Sequence, residues 1–264
     1  MRIVHLLTGA GGMYCGSCMQ GNTLAAALRE AGEDVLLVPV YMPLRTDEED
    51  VSVDRVVFGG VNVYLQQHSA LFRHTPWSLD RLLDRPGLLR WLGRRAASTR
   101  PERLGAMTVS MLRGEEGRQR KELEKLIRWL RKEIRPELVH LSNVLLVGMA
   151  RELRRELGVP VVCSLSGEDG FLEGLTEPHY SQARAVLRER CADLDALVAM
   201  SRYYADFMAE YLGVPRERIH VVPPGLNLSG HGTRRETEAS EASGDRPVTI
   251  GYLSRIAPEK GLHR

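Results

Sequence analysis

Short apolar runs recur along the chain, separated by segments with a helical pattern. The runs are residues 2–7, 34–40, 138–141, 160–165, 196–200 and 219–222. Strands that alternate with helices are typical of an α/β fold with a parallel sheet and crossover helices. Several runs are apolar at consecutive positions, which indicates strands covered on both faces. The pattern therefore predicts a doubly wound parallel sheet.

Three segments have the period of an amphipathic helix. Residues 22–31 end before Gly32, residues 117–134 place their apolar side chains on one face, and residues 201–212 end before Gly213. Serine is a favoured N-cap and glycine a favoured C-terminal cap, so Ser201 and the two glycines predict where these helices begin or end.

The pattern changes between residues 51 and 135. Residues 51–57 and 61–66 flank a Gly-Gly pair and predict a short β-hairpin. Residues 67–135 then predict a mostly helical insertion. Residues 1–226 are expected to form one Rossmann-like domain that carries this insertion.

The chain loses its apolar residues near the C-terminus. Residues 227–246 are mostly Gly, Ser, Thr, Glu and Arg with few apolar side chains, which is the composition of a flexible linker. A new apolar run begins at Pro247, and only 18 residues remain from there to Arg264. We expect residues 247–264 to be the truncated start of a second domain, because a small domain needs about 50 residues.

The bulk composition is that of an ordinary globular protein. Of 264 residues, 43% are hydrophobic and 27% charged, and the net charge of +2 argues against a nucleic-acid partner. The apolar run at residues 3–7 is too short for a signal peptide or a membrane span. These features favour a cytoplasmic protein.

A glycine-rich segment, Gly9-Ala10-Gly11-Gly12, follows the first predicted strand. Doubly wound folds open a ligand crevice at this point, and Gly11 and Gly12 would let the backbone approach a ligand closely. The dinucleotide fingerprint is incomplete because Tyr14 stands where its last glycine belongs. A plain tight turn remains the alternative.

Cys15 and Cys18 form a C-x-x-C pair before the first predicted helix. Three roles are possible for this pair: structural thiols that line the crevice, a redox pair whose thiol pKa is lowered by the helix N-terminus, or ligands of a metal ion. Cys163 and Cys191 lie in apolar segments that favour reduced, buried thiols. No set of residues with zinc-binding spacing is present near the pair.

Polar residues end the fourth predicted strand, in Ser166-Gly167-Glu168-Asp169. The carboxyl ends of parallel strands face the crevice, so Glu168 and Asp169 are candidate ligands for sugar hydroxyls or a base. The alternative for Asp169 is a turn cap.

Two cations, Arg255 and Lys260, lie on the loop after the last apolar run. Fixed positive charge beside a helix start makes a phosphate site, although two cations on a loop are also typical of solvated surface.

Arginine and leucine dominate residues 81–103, with Trp91 among them. A basic amphipathic helix of this kind can lie on an anionic membrane, and the alternative is a solvated face over a packed apolar stripe.

Taken in order, these segments resemble glycosyltransferase family 4. The resemblance rests on the glycine loop followed by NTLAAALREAGEDVLLVPVY, and on ELVHLSN, VPVVCSLSGED, CADLDALVAMSRYYADFMAEYLGVPRERIHVVPPGLN and YLSRIAPEKGLHR. It covers nearly the whole chain except residues 67–135. It implies the first half of a GT-B fold, in which the second Rossmann-like domain holds most of a nucleotide-diphosphate-sugar and the first domain holds the acceptor.

The resemblance also implies residue roles. Gly11 and Gly12 match the loop near the donor phosphates and the acceptor, and Arg255 and Lys260 match the pair that grips the diphosphate. Ser166 stands where the family usually has histidine, so Ser166, Glu168 or a water would make that sugar contact. Most members are retaining and need no metal or other cofactor.

Two further departures follow from the same match. Ser254 replaces a glycine before the arginine, and the glutamate pair that holds the donor would lie beyond Arg264. We therefore expect this chain alone to lack most of the donor site and to be inactive.

The predicted function is transfer of a sugar from a nucleotide-diphosphate-sugar to a sugar, lipid or other small acceptor. The alternatives are a non-catalytic Rossmann-like binding module and a thiol oxidoreductase that uses Cys15 and Cys18. The residues identify neither the donor sugar, the acceptor, the catalytic residue nor the oligomeric state.

Overall fold

The computed structural model describes residues 1–10, 13–76, 87, 89, 101–228 and 250–252. Contacts divide the chain into two units, Met1–Leu226 and Asn227–Arg264. Every helix and strand that the structure describes lies in the first unit.

A six-stranded parallel sheet forms the centre of the first unit, with the strand order β2-β1-β3-β4-β5-β6. The strands are β1 (Arg2–Thr8), β2 (Asp34–Val40), β3 (Leu138–Leu141), β4 (Val161–Leu165), β5 (Ala196–Ala199) and β6 (Ile219–Val221). Each predicted strand is present, with its ends within one residue of the expected positions. The α/β, Rossmann-like fold class is confirmed.

Helices connect the strands. They are α1 (Gly16–Glu30), α2 (Gly60–His68), α3 (Ala70–Arg73), α4 (Pro101–Leu112), α5 (Arg120–Trp129), α6 (Ala150–Leu157), α7 (Asp169–Glu173), α8 (His179–Arg190) and α9 (Arg202–Leu212). A π-helical stretch, Leu130–Ile134, continues α5, and a 3-10 stretch, Val144–Met149, precedes α6.

The predicted caps are present. The Ser201 hydroxyl accepts a hydrogen bond from the backbone N–H of Tyr204 at 3.2 Å, and Gly213 ends α9 with φ +68°. Gly32, with φ +93°, follows α1. Helix α1 begins at Gly16, six residues before the predicted start at Asn22, so Cys18 lies inside its first turn.

The predicted hairpin at residues 51–57 and 61–66 is wrong. Residues 61–66 belong to α2, and Ser52 and Val57 make isolated parallel bridges to β2. The two-residue turns favoured in hairpins need positive φ at their first central residue, but Gly59 has φ −46° and the positive φ of 51° falls on Phe58. The chain therefore leaves the sheet edge and enters a helix.

The two faces of the sheet are covered unequally. Successive side chains of a strand point to opposite faces of the sheet, so alternate residues of β1 belong to different apolar clusters. Val4 and Leu6 belong to the large core under most of the helices. Ile3 and Leu7 instead pack in a smaller cluster with α1. On β4 the burial alternates, so the second face is only half-buried beyond α1. Among the strands that the structure describes, the expectation of burial on both faces therefore holds only for β1 and β2.

The helical insertion is fastened to the rest of the unit by a buried arginine. Arg190, at the end of α8, is 1% exposed. Its guanidinium donates to the Glu115 carboxylate at 2.9 Å and to the Arg113 carbonyl at 2.8 Å. Nearby, a Cβ added to Gly148 would lie 2.2 Å from the Met111 carbonyl oxygen, so only glycine fits this approach.

Candidate functional site

The carboxyl ends of β1, β3 and β4 meet at one edge of the sheet, where Thr8 ends β1, Ser142 follows β3 and Ser166 follows β4. Asn143 Nδ2 donates to Thr8 Oγ1 at 3.0 Å and to Ser142 Oγ at 3.3 Å. The backbone N–H of Thr8 also donates to Ser142 Oγ at 3.3 Å. These bonds hold a row of two hydroxyls, those of Thr8 and Ser142, in fixed positions before any ligand binds. Ser142 and Asn143 were missed by sequence reasoning, although their place directly after β3 is the signal that marks them.

The turn after β4 is built around the buried carboxylate of Glu168. This residue is 5% exposed. It accepts from the backbone N–H of Ser166 at 2.8 Å, from the Ser166 hydroxyl at 3.1 Å and from the backbone N–H of Val144 at 3.2 Å. Burial raises the pKa of Glu168, and the hydrogen bonds from Ser166 and Val144 oppose that rise. The carboxylate therefore joins the turn to the helical stretch after β3.

Tyr204, in the first turn of α9, fixes the other side of the same turn. Its hydroxyl donates to Asp169 Oδ1 at 2.7 Å and accepts from the backbone N–H of Gly167 at 2.9 Å. Burial raises the pKa of Tyr204, with the nearby carboxylates adding to the rise. The phenol thus remains protonated and serves as a donor.

Of the three residues predicted in this turn, Ser166 lines a cavity and the other two make contacts within the protein. The oxygens of Glu168 accept from Ser166 and Val144, and Asp169 accepts from Tyr204. Direct sugar contacts by Glu168 and Asp169 stay predictions.

The cavity runs along the second face of the sheet beside α1 and has a volume of about 410 Å³. That is within the ~300–1,000 Å³ range of small-ligand sites. Its polar lining includes His5, His140, Ser142, Ser164 and Ser166, and the segment 222–226 borders one side.

Two histidines lie side by side in the floor of this cavity. His5 and His140 are paired in the register of β1 and β3, and their ring centroids are 4.4 Å apart. His140 Nε2 lies 2.8 Å from Ser164 Oγ. Burial lowers the pKa of His140 to about 4 and that of His5 well below its ordinary value, so both rings are neutral at pH 7. Sequence reasoning missed this pair, because only the strand register brings the two residues together.

Gly9 and the cysteine pair lie next to the end of β1. A Cβ on Gly9 would be 1.8 Å from the Met42 carbonyl oxygen, which is a close backbone approach that requires glycine. Cys15 is the N-cap of α1 and is half-buried, and Cys18 is fully buried. Cys18 Sγ donates to the Thr8 carbonyl at 3.5 Å.

Several predicted residues lie outside the described part of the chain. They are Gly11, Gly12, Arg255, Lys260 and almost all of the basic segment 81–103. Within the described residues, no three His, Cys, Asp or Glu side chains are placed to hold a metal ion. No helix among these residues is long and apolar enough to cross a bilayer.

A comparison with protein families matches residues 94–229, just over half of the 264 residues, to the model described as Glycosyltransferase Family 4. No curated protein sequence matches the chain.

Solved structures that match include the lipopolysaccharide outer core galactosyltransferase WaaB in its apo form, with 12% identity over 86% of this chain and 47% of that one and a TM-score of 0.44. HepE from Anabaena in complex with UDP-glucose has 13% identity over 87% and 45%, with a TM-score of 0.45. UGT89C1 from Arabidopsis thaliana complexed with UDP-L-rhamnose has 12% identity over 86% and 49%, with a TM-score of 0.41. The chain therefore spans about half the length of these proteins.

Proposed function

The chain belongs to glycosyltransferase family 4, and from that premise we propose that the full-length protein transfers a sugar from a nucleotide-diphosphate-sugar to an acceptor bound on the Rossmann-like domain described above. The observation that carries the proposal is the family match over residues 94–229. Retention of the anomeric configuration and independence from metal ions are part of the proposal, since the resemblance implies both.

The acceptor would meet the hydroxyl row at the carboxyl ends of the strands. Ser142 and Ser166 both border the cavity of about 410 Å³, and hydroxyls can donate to or accept from a sugar hydroxyl. The hydrogen bonds that fix Ser142 and the turn at Ser166 support this role, because a site that is already ordered loses less entropy when it binds.

The donor diphosphate would be held by Arg255 and Lys260, with Gly11 and Gly12 allowing the backbone to come close. Two fixed cations stabilise the negative charge that develops on the departing nucleoside diphosphate. These four roles rest on the motifs of the sequence.

The test is a thermal-shift and product-release assay on the full-length protein with a panel of nucleotide-diphosphate-sugars. A donor present at a hundred times its Kd adds about 2.7 kcal/mol of stability, which raises the Tm by roughly 5–11 °C for a domain of 150–250 residues. The same donor should release nucleoside diphosphate when a panel of sugar and lipid acceptors is added, and the release should survive a chelator.

A matched pair of variants makes this assay specific. Lys260→Met should leave the Tm of the free protein unchanged. It should raise the apparent Kd of the donor, obtained from the Tm shift, at least tenfold. Lys132→Met removes the same charge from an exposed position in the insertion and should bind the donor like the wild type. If no nucleotide-diphosphate-sugar changes the Tm, the proposal is wrong. A donor that binds without any release of nucleoside diphosphate would favour a non-catalytic binding module.

A lipid acceptor would place the protein at the cytoplasmic face of a membrane through residues 81–103. In that case the protein should sediment with anionic phosphatidylglycerol vesicles at low salt and not with neutral phosphatidylcholine vesicles. If the protein sediments equally with both kinds of vesicle, or with neither, the proposed membrane contact is wrong and a soluble acceptor is favoured.

A further inference from the structure

Cys15 and Cys18 occupy unequal positions at the start of α1. Cys15 is the N-cap and is partly exposed to solvent, whereas Cys18 lies three residues later in the first turn and is fully buried. Residues three apart on a helix are neighbours on one face, so the two sulfurs can be bridged without moving the backbone far. One sulfur is accessible to a reagent and the other is accessible only to its neighbour.

The surroundings favour a thiolate on the exposed sulfur. The Cys18 thiol and the backbone N–H groups of Cys18 and Ser17 stabilise negative charge on Cys15, and they lower its pKa from 9.0 to about 5. The hydrogen bond to Cys15, together with burial, raises the pKa of Cys18. This is the division between an attacking and a resolving cysteine.

The other two cysteines differ from this pair. Cys163 and Cys191 are both fully buried, and burial raises the pKa of each thiol. They belong to the large apolar core and behave as small hydrophobic residues. Low pKa and solvent access therefore coincide at Cys15 alone among the cysteines of the chain.

We propose that Cys15 and Cys18 form a redox-active dithiol that exchanges with small-molecule disulfides, with Cys15 as the attacking sulfur and Cys18 as the resolving sulfur. This activity is independent of the proposed sugar transfer.

The exchange occurs in two displacements. The Cys15 thiolate attacks one sulfur of the small disulfide, which forms a mixed disulfide and releases one thiolate. Cys18 no longer donates to a charged partner at this stage, so the largest cause of its raised pKa is gone. Its sulfur loses a proton to the released thiolate and attacks Cys15 Sγ, which expels the second thiolate. The dithiol loses two electrons and two protons, and the small disulfide is reduced to two thiols.

The oxidation state would be transmitted to the strand end. When both thiols are protonated, the single S–H of Cys18 donates to the carbonyl of Thr8, the residue whose hydroxyl belongs to the row at the site, and it turns towards Cys15 when that sulfur is a thiolate. A disulfide has no S–H group, so this carbonyl loses its donor on oxidation.

The test equilibrates the full-length protein in buffers of reduced and oxidised glutathione, quenches with acid and alkylates the free thiols. The tryptic peptide 3–29 contains Cys15 and Cys18 and no other cysteine, so mass spectrometry reads the pair directly. We expect this peptide to change from doubly alkylated to a disulfide as the oxidised fraction rises, while Cys163 and Cys191 stay reduced. A doubly alkylated peptide at every ratio would refute the proposal.

Two single variants assign the roles. With glutathione disulfide, Cys18→Ser should accumulate a mixed disulfide at Cys15, at least tenfold more than Cys15→Ser accumulates at the buried Cys18. Equal adducts in the two variants would overturn the assignment. Labelling of Cys163 and Cys191 reports whether a variant is still folded.

A measurement on the wild type decides the question even if a variant unfolds. The rate of iodoacetamide labelling at Cys15 should rise with a midpoint near pH 5, the value to which its pKa is lowered. At pH 6 the gain in thiolate outweighs the lower nucleophilicity, so Cys15 should react about tenfold faster than in a peptide of residues 13–20. A midpoint between pH 8 and 9, as for an ordinary thiol, would refute the proposal.

Discussion

Removal of one hydroxyl, in Tyr204→Phe, should loosen the turn that carries Ser166. The lost group donates to the Asp169 carboxylate at 2.7 Å and accepts from the Gly167 N–H at 2.9 Å. A hydrogen bond to a charged group contributes about 1.5–3 kcal/mol, and a neutral one about 0.5–1.5 kcal/mol. Gly167 is exposed, so water can replace its partner. The expected loss of stability is therefore about 2 kcal/mol, or roughly 4–8 °C in Tm for a domain of this size.

A double-mutant cycle with Asp169→Ala isolates the bond itself. Urea unfolding of the wild type, both single variants and the double variant should give a coupling energy of about 1–2 kcal/mol. Tyr203→Phe is the matched control, since Tyr203 is 79% exposed and the change should stay within about 0.5 kcal/mol of the wild type. If the effects of Tyr204→Phe and Asp169→Ala simply add, the phenol does not hold the turn through Asp169, and the interpretation of the bond is wrong.

Three other changes test the fold and the site. Glu168→Gln removes a carboxyl group whose pKa is raised above 4.5 in the folded protein. In urea unfolding, the wild type should therefore gain stability relative to the variant as the pH falls from 7 towards 4.5. A stability difference that does not change with pH would contradict burial of the charge. Gly148→Ala places a Cβ 2.2 Å from the Met111 carbonyl oxygen and should cost about 1–3 kcal/mol in the same assay, whereas Gly170→Ala has open space and should be neutral or slightly stabilising. Arg190→Met leaves Glu115 without its buried partner and should cost about 3 kcal/mol, and a change below ~1 kcal/mol would show that water replaces the guanidinium readily.

The sheet could be predicted from the sequence because each strand is a short apolar run with clear boundaries. The same local logic failed at residues 61–66, where Val61, Val63 and Leu65 alternate as in a strand. Their alternation is also compatible with a helix, and buried contacts such as Gln66 Nε2 to Glu122 Oε1 at 2.7 Å favour the helix from 56 residues away. Tertiary contacts of this kind leave no local pattern.

The site was predictable to a smaller extent. The rule that polar residues after parallel strands face one edge placed Ser166 and Glu168 in the turn after β4, and Ser166 borders the cavity there. It did not show that Tyr204, far along the chain, binds the same turn, or that His5 and His140 are adjacent. Both facts depend on strand register and on where a helix docks, which a single sequence does not encode locally.

Because side chains alternate along a strand, neighbouring positions of β4 differ in how well they tolerate substitution. Val161 and Cys163 point into the large core, so substitution there opens a void or a clash. Val162 and Ser164 border the cavity instead, and a new side chain there changes the shape and polarity of the lining without disturbing the core. Homologues can therefore diversify what the cavity accepts through single substitutions at every second position, while the intervening residues keep the same sheet.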